Sequence, residues 1–107
     1  MIFNQGDTYE LEIPLTTPSG EDLDINDVSI VEFMFEDIRK LYGDGGDVTY
    51  DNDLKLFRVP LSQQETFSLP ENEIIKYKAR VKFTDNHVDS TCVYNGYVEE
   101  SLSKEVL

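Results

Sequence analysis

Ile74-Ile75-Lys76-Tyr77-Lys78-Ala79-Arg80-Val81-Lys82-Phe83-Thr84 is the stretch that decides the fold. From Ile75 the apolar side chains take every second position: Ile75, Tyr77, Ala79, Val81 and Phe83. Lys76, Lys78, Arg80 and Lys82 take the positions between. A period of two puts the two sets on opposite faces of a strand, whereas a helix would spread both around its circumference. The expectation is a long strand with one dry face and one wet, basic face, the pattern of an antiparallel sheet. The basic row is read first as a solvated face paired with acidic neighbouring strands, and second as a stripe that binds a partner.

The rest of the chain repeats this style at shorter length. Tyr9, Leu11, Ile13 and Leu15 alternate with polar residues and end near Pro14, a proline that suits an edge strand or a bulge. The turn-forming run 16–21 follows, and then Leu23 and Ile25, read as a plug of the core supplied by a loop. Val28 to Ile38 reads as a second long strand, with Val31, Phe33 and Phe35 inward; its β-branched and aromatic density outweighs a 3.6-residue reading. Gly43-Asp44-Gly45-Gly46-Asp47 is a loop, Val48 to Tyr50 a short strand, and Leu54 to Leu61 a strand. Ser62-Gln63-Gln64-Glu65 fits a capping box for a short helix through Phe67. Asp85-Asn86-His87 is a hairpin turn, and Val88 to Val98 a last long strand in which Gly96 marks a bulge. The expected fold is all-β and mainly antiparallel. It is a small Ig-like β-sandwich or barrel of six to eight strands, with one short helix near 62–67, forming a single domain over 1–107. Residues 99–107 form a tail, either a final strand or an ordered docking arm, with a frayed end over 102–107 as the plain alternative.

At 107 residues one domain is expected, burying roughly 65% of the surface of the unfolded chain. No run of 18 apolar residues is present, so no membrane span is expected. The start has no basic and apolar leader pattern, so synthesis in the cytoplasm is expected. One cysteine, Cys92, excludes an internal disulfide framework and is read as an inert, half-buried thiol.

Charge is the unusual feature. The chain holds 22 acidic and 9 basic residues, a net charge of −13. Residues 1–53 carry 14 of the acids and only Arg39 and Lys40 as bases. Such a half repels nucleic acid and anionic lipid, and attracts basic protein surfaces.

Catalytic chemistry is not legible. His87 is the single histidine and sits in a turn beside Asp85 and Asp89, so neither a zinc site nor a Cys–His nucleophile is proposed. Carboxylates abound, but a glycosidase needs two in one cleft with separated pKa values. Asp44, Asp47, Asp51 and Asp53 invite a calcium reading, yet the EF-hand spacing fails. No phosphate-binding glycine pattern occurs. The expectation is no enzyme, no metal and no cofactor.

Several short motifs carry a resemblance. They are Gly6-Asp7-Thr8 opening the first strand, Asp22-Leu23-Asp24-Ile25 before the second, and Phe57 to Thr66 as a strand with a Leu-Ser-Gln turn. Lys78-Ala79-Arg80-Val81-Lys82-Phe83, the Asp85-Asn86 hairpin and the ending Ser101 to Leu107 complete them. In this order they resemble small proteins encoded among the virion structural genes of phages and prophages of Firmicutes. The layout is also similar to the N-terminal domain of phage baseplate upper proteins. Asn86 stands where the hairpin of that group usually has glycine, and asparagine also tolerates positive φ. The resemblance implies a protein that acts by protein–protein contact in a tail, neck or capsid, with a phage structural protein or itself as partner. Strand edges and the tail residues Leu102, Val106 and Leu107 would be the contacts. It would be made in the bacterial host cytoplasm and end in the virion.

The charge supports an alternative from the same origin, an acidic protein that imitates nucleic acid and blocks a basic host nuclease in the cytoplasm. An anti-CRISPR protein occupying a Cas effector's channel is one such case. Alternate strand residues lie about 6.6 Å apart, roughly two single-strand phosphate rises of about 3.4 Å. Glu10, Glu12, Asp22, Asp24, Glu32 and Glu36, with Asp44, Asp47, Asp51 and Asp53 of the loop, are the candidate mimics. An Ig-like adhesion or carbohydrate-binding domain is a third option, weakened by the absence of Trp.

Overall fold

The computed structural model describes residues 1–17, 19–91 and 94–107. Cys92, and with it the reading of its thiol, lies outside the described residues. Among these residues nine strands are present: β1 (Ile2–Asn4), β2 (Tyr9–Ile13), β3 (Val28–Phe35), β4 (Ile38–Tyr42), β5 (Thr49–Asp51), β6 (Leu56–Leu61), β7 (Ile74–Phe83), β8 (Val88–Ser90) and β9 (Tyr94–Glu99). One short helix, α1 (Gln63–Phe67), and a single 3₁₀ turn (Ile25–Asp27) accompany them. The fold is all-β, as the alternation of the sequence requires.

β7 is the axis of the larger sheet, whose order is β1-β9-β7-β3-β4, with β8 also on β7. On one side β7 lies antiparallel to β3 from Phe35↔Tyr77 to Val28↔Phe83. On the other it meets β9 near Ile74–Tyr77 and β8 near Arg80–Lys82. Ile75, Ala79 and Val81 are buried, while Lys76, Lys78 and Arg80 are exposed, so the period of two is realised. The smaller sheet has the order β2-β6-β5. β2 ends just before Pro14 at the edge of that sheet. Pro60 lies in the central strand, but β5 reaches only Leu56 to Arg58, so β6 has a neighbour on one side alone at Pro60. That is where a residue without an N–H is tolerated.

The sheets meet through Leu11, Ile13, Phe57, Val59 and Leu61 on one side and Val31, Phe33, Phe35, Ile75 and Val81 on the other. Phe33 and Phe57 touch across the layer at 5.7 Å between ring centroids. Leu23 plugs the core from its loop, buried as expected. The capping box forms: Ser62 Oγ accepts from Glu65 N at 3.1 Å and Glu65 Oε1 accepts from Ser62 N at 2.9 Å.

Four features depart from the sequence reading. Val28 to Ile38 is a strand and a reversal, not one strand. The chain turns at Glu36-Asp37 with Glu36 at φ 54°, a conformation that glutamate does not advertise. No strand is expected before Tyr9, yet β1 joins β9 in parallel, through Ile2↔Tyr97 to Asn4↔Glu99. The strand expected over Val88 to Val98 is instead two, β8 and β9, which meet β7 at different places. These three features bring the strands among the described residues to nine, above the six to eight expected. Gly96 marks no bulge, since β7 and β9 keep one register from Ile74↔Tyr97 to Tyr77↔Tyr94. The hairpin at Asn86 is present, with φ 75°.

Candidate binding surface

The outer face of the larger sheet is built by the residues that alternate with the core. Cross-strand partners share a face, so the register assigns it. Glu32 stands beside Arg80, Met34 beside Lys78, and Ile30 beside Lys82. β4 adds Arg39 beside Met34, and β9 adds Asn95 beside Lys76. Glu32 bridges two guanidinium groups, accepting from Arg39 Nε at 2.6 Å and from Arg80 Nε and Nη2 at 2.9 and 2.8 Å. The hydrogen bond from Arg39, reinforced by Arg80, holds the Glu32 carboxyl below its ordinary value despite partial burial. Lys76, Lys78 and Lys82 make no ion pair among the described residues. The solvated-face reading therefore fits Arg80, and three ammonium groups of the row remain unneutralised.

Below this basic field lies an apolar corner that the sequence reading missed. Register places Ile2 beside Tyr97 and Tyr97 beside Ile74, one side chain from each of three adjacent strands. They are 54%, 39% and 70% exposed respectively. Ile74 and Tyr97 follow from strand patterns, but nothing in Met1-Ile2-Phe3 announces the strand that completes the row. A shallow groove lined by Met34, Glu36, Ile74, Lys76 and Lys78 joins the corner to the lysines.

The acidic candidates are not brought into one row. Glu10 and Glu12 project from β2, opposite Pro60 and Arg58, on the outer face of the smaller sheet. Glu32 lies on the opposite side of the molecule, and Glu36 in the β3–β4 turn. Four of the ten are held in ion pairs among the described residues. Glu12 and Asp51 both pair with Arg58, Asp47 pairs with Lys40 at 3.1 Å, and Glu32 holds its two arginines. Asp51 also accepts from Leu54 N and Asp53 N, each at 2.9 Å. Those backbone bonds, the one from Leu54 foremost, and Arg58 keep its carboxyl below the ordinary value. Asp24 caps the 3₁₀ turn by accepting from Asn26 N at 3.0 Å. Glu10, Asp22, Glu36, Asp44 and Asp53 make no ion pair among the described residues.

The tail lies along the body without joining a sheet. Lys104 Nζ donates to Gln5 Oε1 at 2.8 Å and reaches Glu71 at 3.2 Å, and Leu107 N donates to Gln63 Oε1 at 2.9 Å. These polar ties leave its apolar side chains outside: Leu102 is 99% exposed, and Val106 and Leu107 are exposed too.

Other clusters have structural work. Lys40 points inward from β4 and is 8% exposed; its ammonium meets Glu65 of α1 at 2.8 Å as well as Asp47. Burial pulls the Lys40 pKa down, but the bonds to Glu65 and Asp47 outweigh it and leave it raised. His87 stacks on Phe83, with centroids 4.3 Å apart, and pairs with Asp85 and Asp89. A cleft of about 230 Å³ opens between Leu15, Leu23, Val81, Phe83 and Tyr94. Among the described residues no three His, Cys, Asp or Glu converge as metal ligands, and no helix is long and apolar enough to cross a membrane.

No family model, curated protein or solved structure matches the chain.

Proposed function

We propose that this chain is a non-enzymatic protein–protein interaction module, a structural part of a phage virion in its tail, neck or capsid. The observation that carries the reading is the outer face of the larger sheet. An exposed row of Ile2, Tyr97 and Ile74 adjoins the unneutralised Lys76 and Lys78. Contiguous exposed apolar surface rimmed by charge is a mark of a protein-binding face. The virion assignment comes from the sequence resemblance. On this reading the chain takes no cofactor, nucleic acid or membrane directly and works through capsid or tail proteins, itself included.

The test is capture from a phage-infected host lysate at low salt, washed in steps of rising salt. Retention of capsid or tail proteins through the high-salt wash is the expected result, because apolar contacts survive screening. Retention of none of them, together with absence of the protein from purified particles, would overturn it.

The charge favours a second reading, an acidic inhibitor of a basic host nuclease that works in the cytoplasm. Glu10, Asp22, Glu36, Asp44 and Asp53 are its supporting residues, being exposed and without ion pairs among the described residues. A Cas or other nuclease subunit released as salt rises is its signature. Neutralising Glu10, Asp44 and Asp53 should abolish such binding without unfolding the domain. Asp47 and Asp51 are unsuited to that test, because they hold Lys40 and Arg58.

A further inference from the structure

The molecule is electrically lopsided. The outer face of the larger sheet carries Arg39, Lys76, Lys78, Arg80 and Lys82, five of the nine basic residues, with Glu32 inside it and Glu36 at its rim. The other 20 of the 22 acids share the rest of the chain with four bases. The tail is the complement of that face. Glu100 and Glu105 flank Leu102 and Val106, and all four are exposed. Its one cation, Lys104, is occupied by Gln5 and Glu71. The ties to Gln5, Glu71 and Gln63 hold the tail beside α1 and the β1–β2 connection rather than over the basic face. An acidic, apolar segment and a basic, apolar sheet face thus stand on one chain.

We propose that the chain assembles with itself head to tail, the segment 100–107 of one copy lying on the outer face of the larger sheet of the next. Leu102 and Val106 cover the corner of Ile2, Ile74 and Tyr97, and Glu100 and Glu105 meet Lys76 and Lys78. This deepens the binding-module reading and rests on it. The net charge of −13 does not prevent it. At physiological salt, charges are screened beyond about 8 Å, a length shorter than the 24 Å narrow dimension of the molecule. The local match decides the contact, not the total. The two surfaces differ, so the contact is heterologous and builds a ring or an open chain of copies unless two copies exchange tails.

Sedimentation velocity and light scattering on the full chain test it, over a range of concentrations and salt. The face variant is Lys76→Glu with Lys78→Glu, and the tail variant is Leu102→Asp with Val106→Asp. All four positions are exposed, and circular dichroism checks that both variants keep the fold. The wild type is expected to gain mass with concentration. Each variant alone should self-associate more weakly by about tenfold or more, a loss of 1.4 kcal/mol or more. An equimolar mixture of the two variants keeps one live tail and one live face, so it should form a one-to-one dimer and nothing larger. Self-association indifferent to both variants, or a mixture that stays monomeric, overturns the proposal. A monomeric wild type that captures capsid or tail proteins through Lys76 and Lys78 also overturns it, while leaving the binding-module reading standing. A wild type that neither associates nor captures anything overturns both.

Discussion

The ring of Phe3 lies against the bare Cα of Gly96. A Cβ at Gly96 would stand 2.4 Å from Phe3 Cε2, closer than real side chains approach. This contact fastens β1 to β9 and sets Phe3, fully buried, edge-on to Tyr9 and Tyr77. Gly96→Ala should therefore cost about 1–3 kcal/mol, the range for overpacking a filled site. Pairing it with Phe3→Leu should recover part of the loss. Denaturant melts of the two single variants and the double one measure it, and strict additivity would refute the contact.

Thr66 ties α1 to the connection between β1 and β2. Its Oγ1 accepts from Gly6 N at 2.9 Å and donates to Asp7 O at 2.8 Å, and the residue is wholly buried. Thr66→Val keeps the shape and orphans both backbone groups, so a loss of about 2 kcal/mol is expected. Thr66→Ser keeps the hydroxyl and should cost less than Thr66→Val. Equal losses would mean that packing alone matters there.

Lys40 and Glu65 join the inner face of β4 to α1. Glu65→Ala removes the main partner of a buried ammonium and half of the capping box, and should destabilise by about 2 kcal/mol. Asp47→Ala should cost less, because Asp47 is exposed and Glu65 remains. Burial works to raise the Glu65 carboxyl, but the Lys40 bond leaves it below its ordinary 4.5. Lys40 lies above its ordinary 10.5. The stabilisation is thus complete between 4.5 and 10.5. It is lost as pH falls through the depressed Glu65 value, or rises through the elevated Lys40 value. Urea melts of wild type and Glu65→Ala should differ most within that window and converge in acid.

Glu36 occupies a left-handed conformation at the β3–β4 turn, which costs a residue of this kind about 1 kcal/mol. Glu36→Asn, a residue that accepts positive φ, should raise stability by a fraction of that figure. A fall in the thermal midpoint would show that the Glu36 side chain contributes more than its backbone costs.

Glu32 bridges Arg39 and Arg80, and its lowered pKa makes its contribution complete above 4.5 and lost as pH falls through the folded value. Both arginines are more than half exposed, so Glu32→Gln should cost only about 1 kcal/mol at neutral pH, less at high salt. A loss unchanged by salt would point to packing rather than charge.

What was legible in the sequence follows its short-range patterns. Alternation over Ile75 to Phe83 required a strand and named its dry side, Ser62 to Glu65 announced a cap, and Asp85-Asn86 a reversal, because period, cap and turn are chemistry within a few residues. The Glu36 turn escaped because glutamate resists the φ it adopts there. Of the candidate site, the lysine row and the bare Leu102 and Val106 were visible, but the apolar corner was not. Ile2 reaches Tyr97 only through a parallel pairing with a strand more than ninety positions away, which leaves no periodic trace. The sequence alone determined an all-β chain, its inward and outward residues and its lopsided charge. Only the tertiary structure decided which outward residues became neighbours. It set Glu32 between two arginines, left Lys76 and Lys78 without an ion pair among the described residues, and spread the acidic residues over opposite faces. Sheet order and register arise from closing a shared core, and no local propensity encodes them.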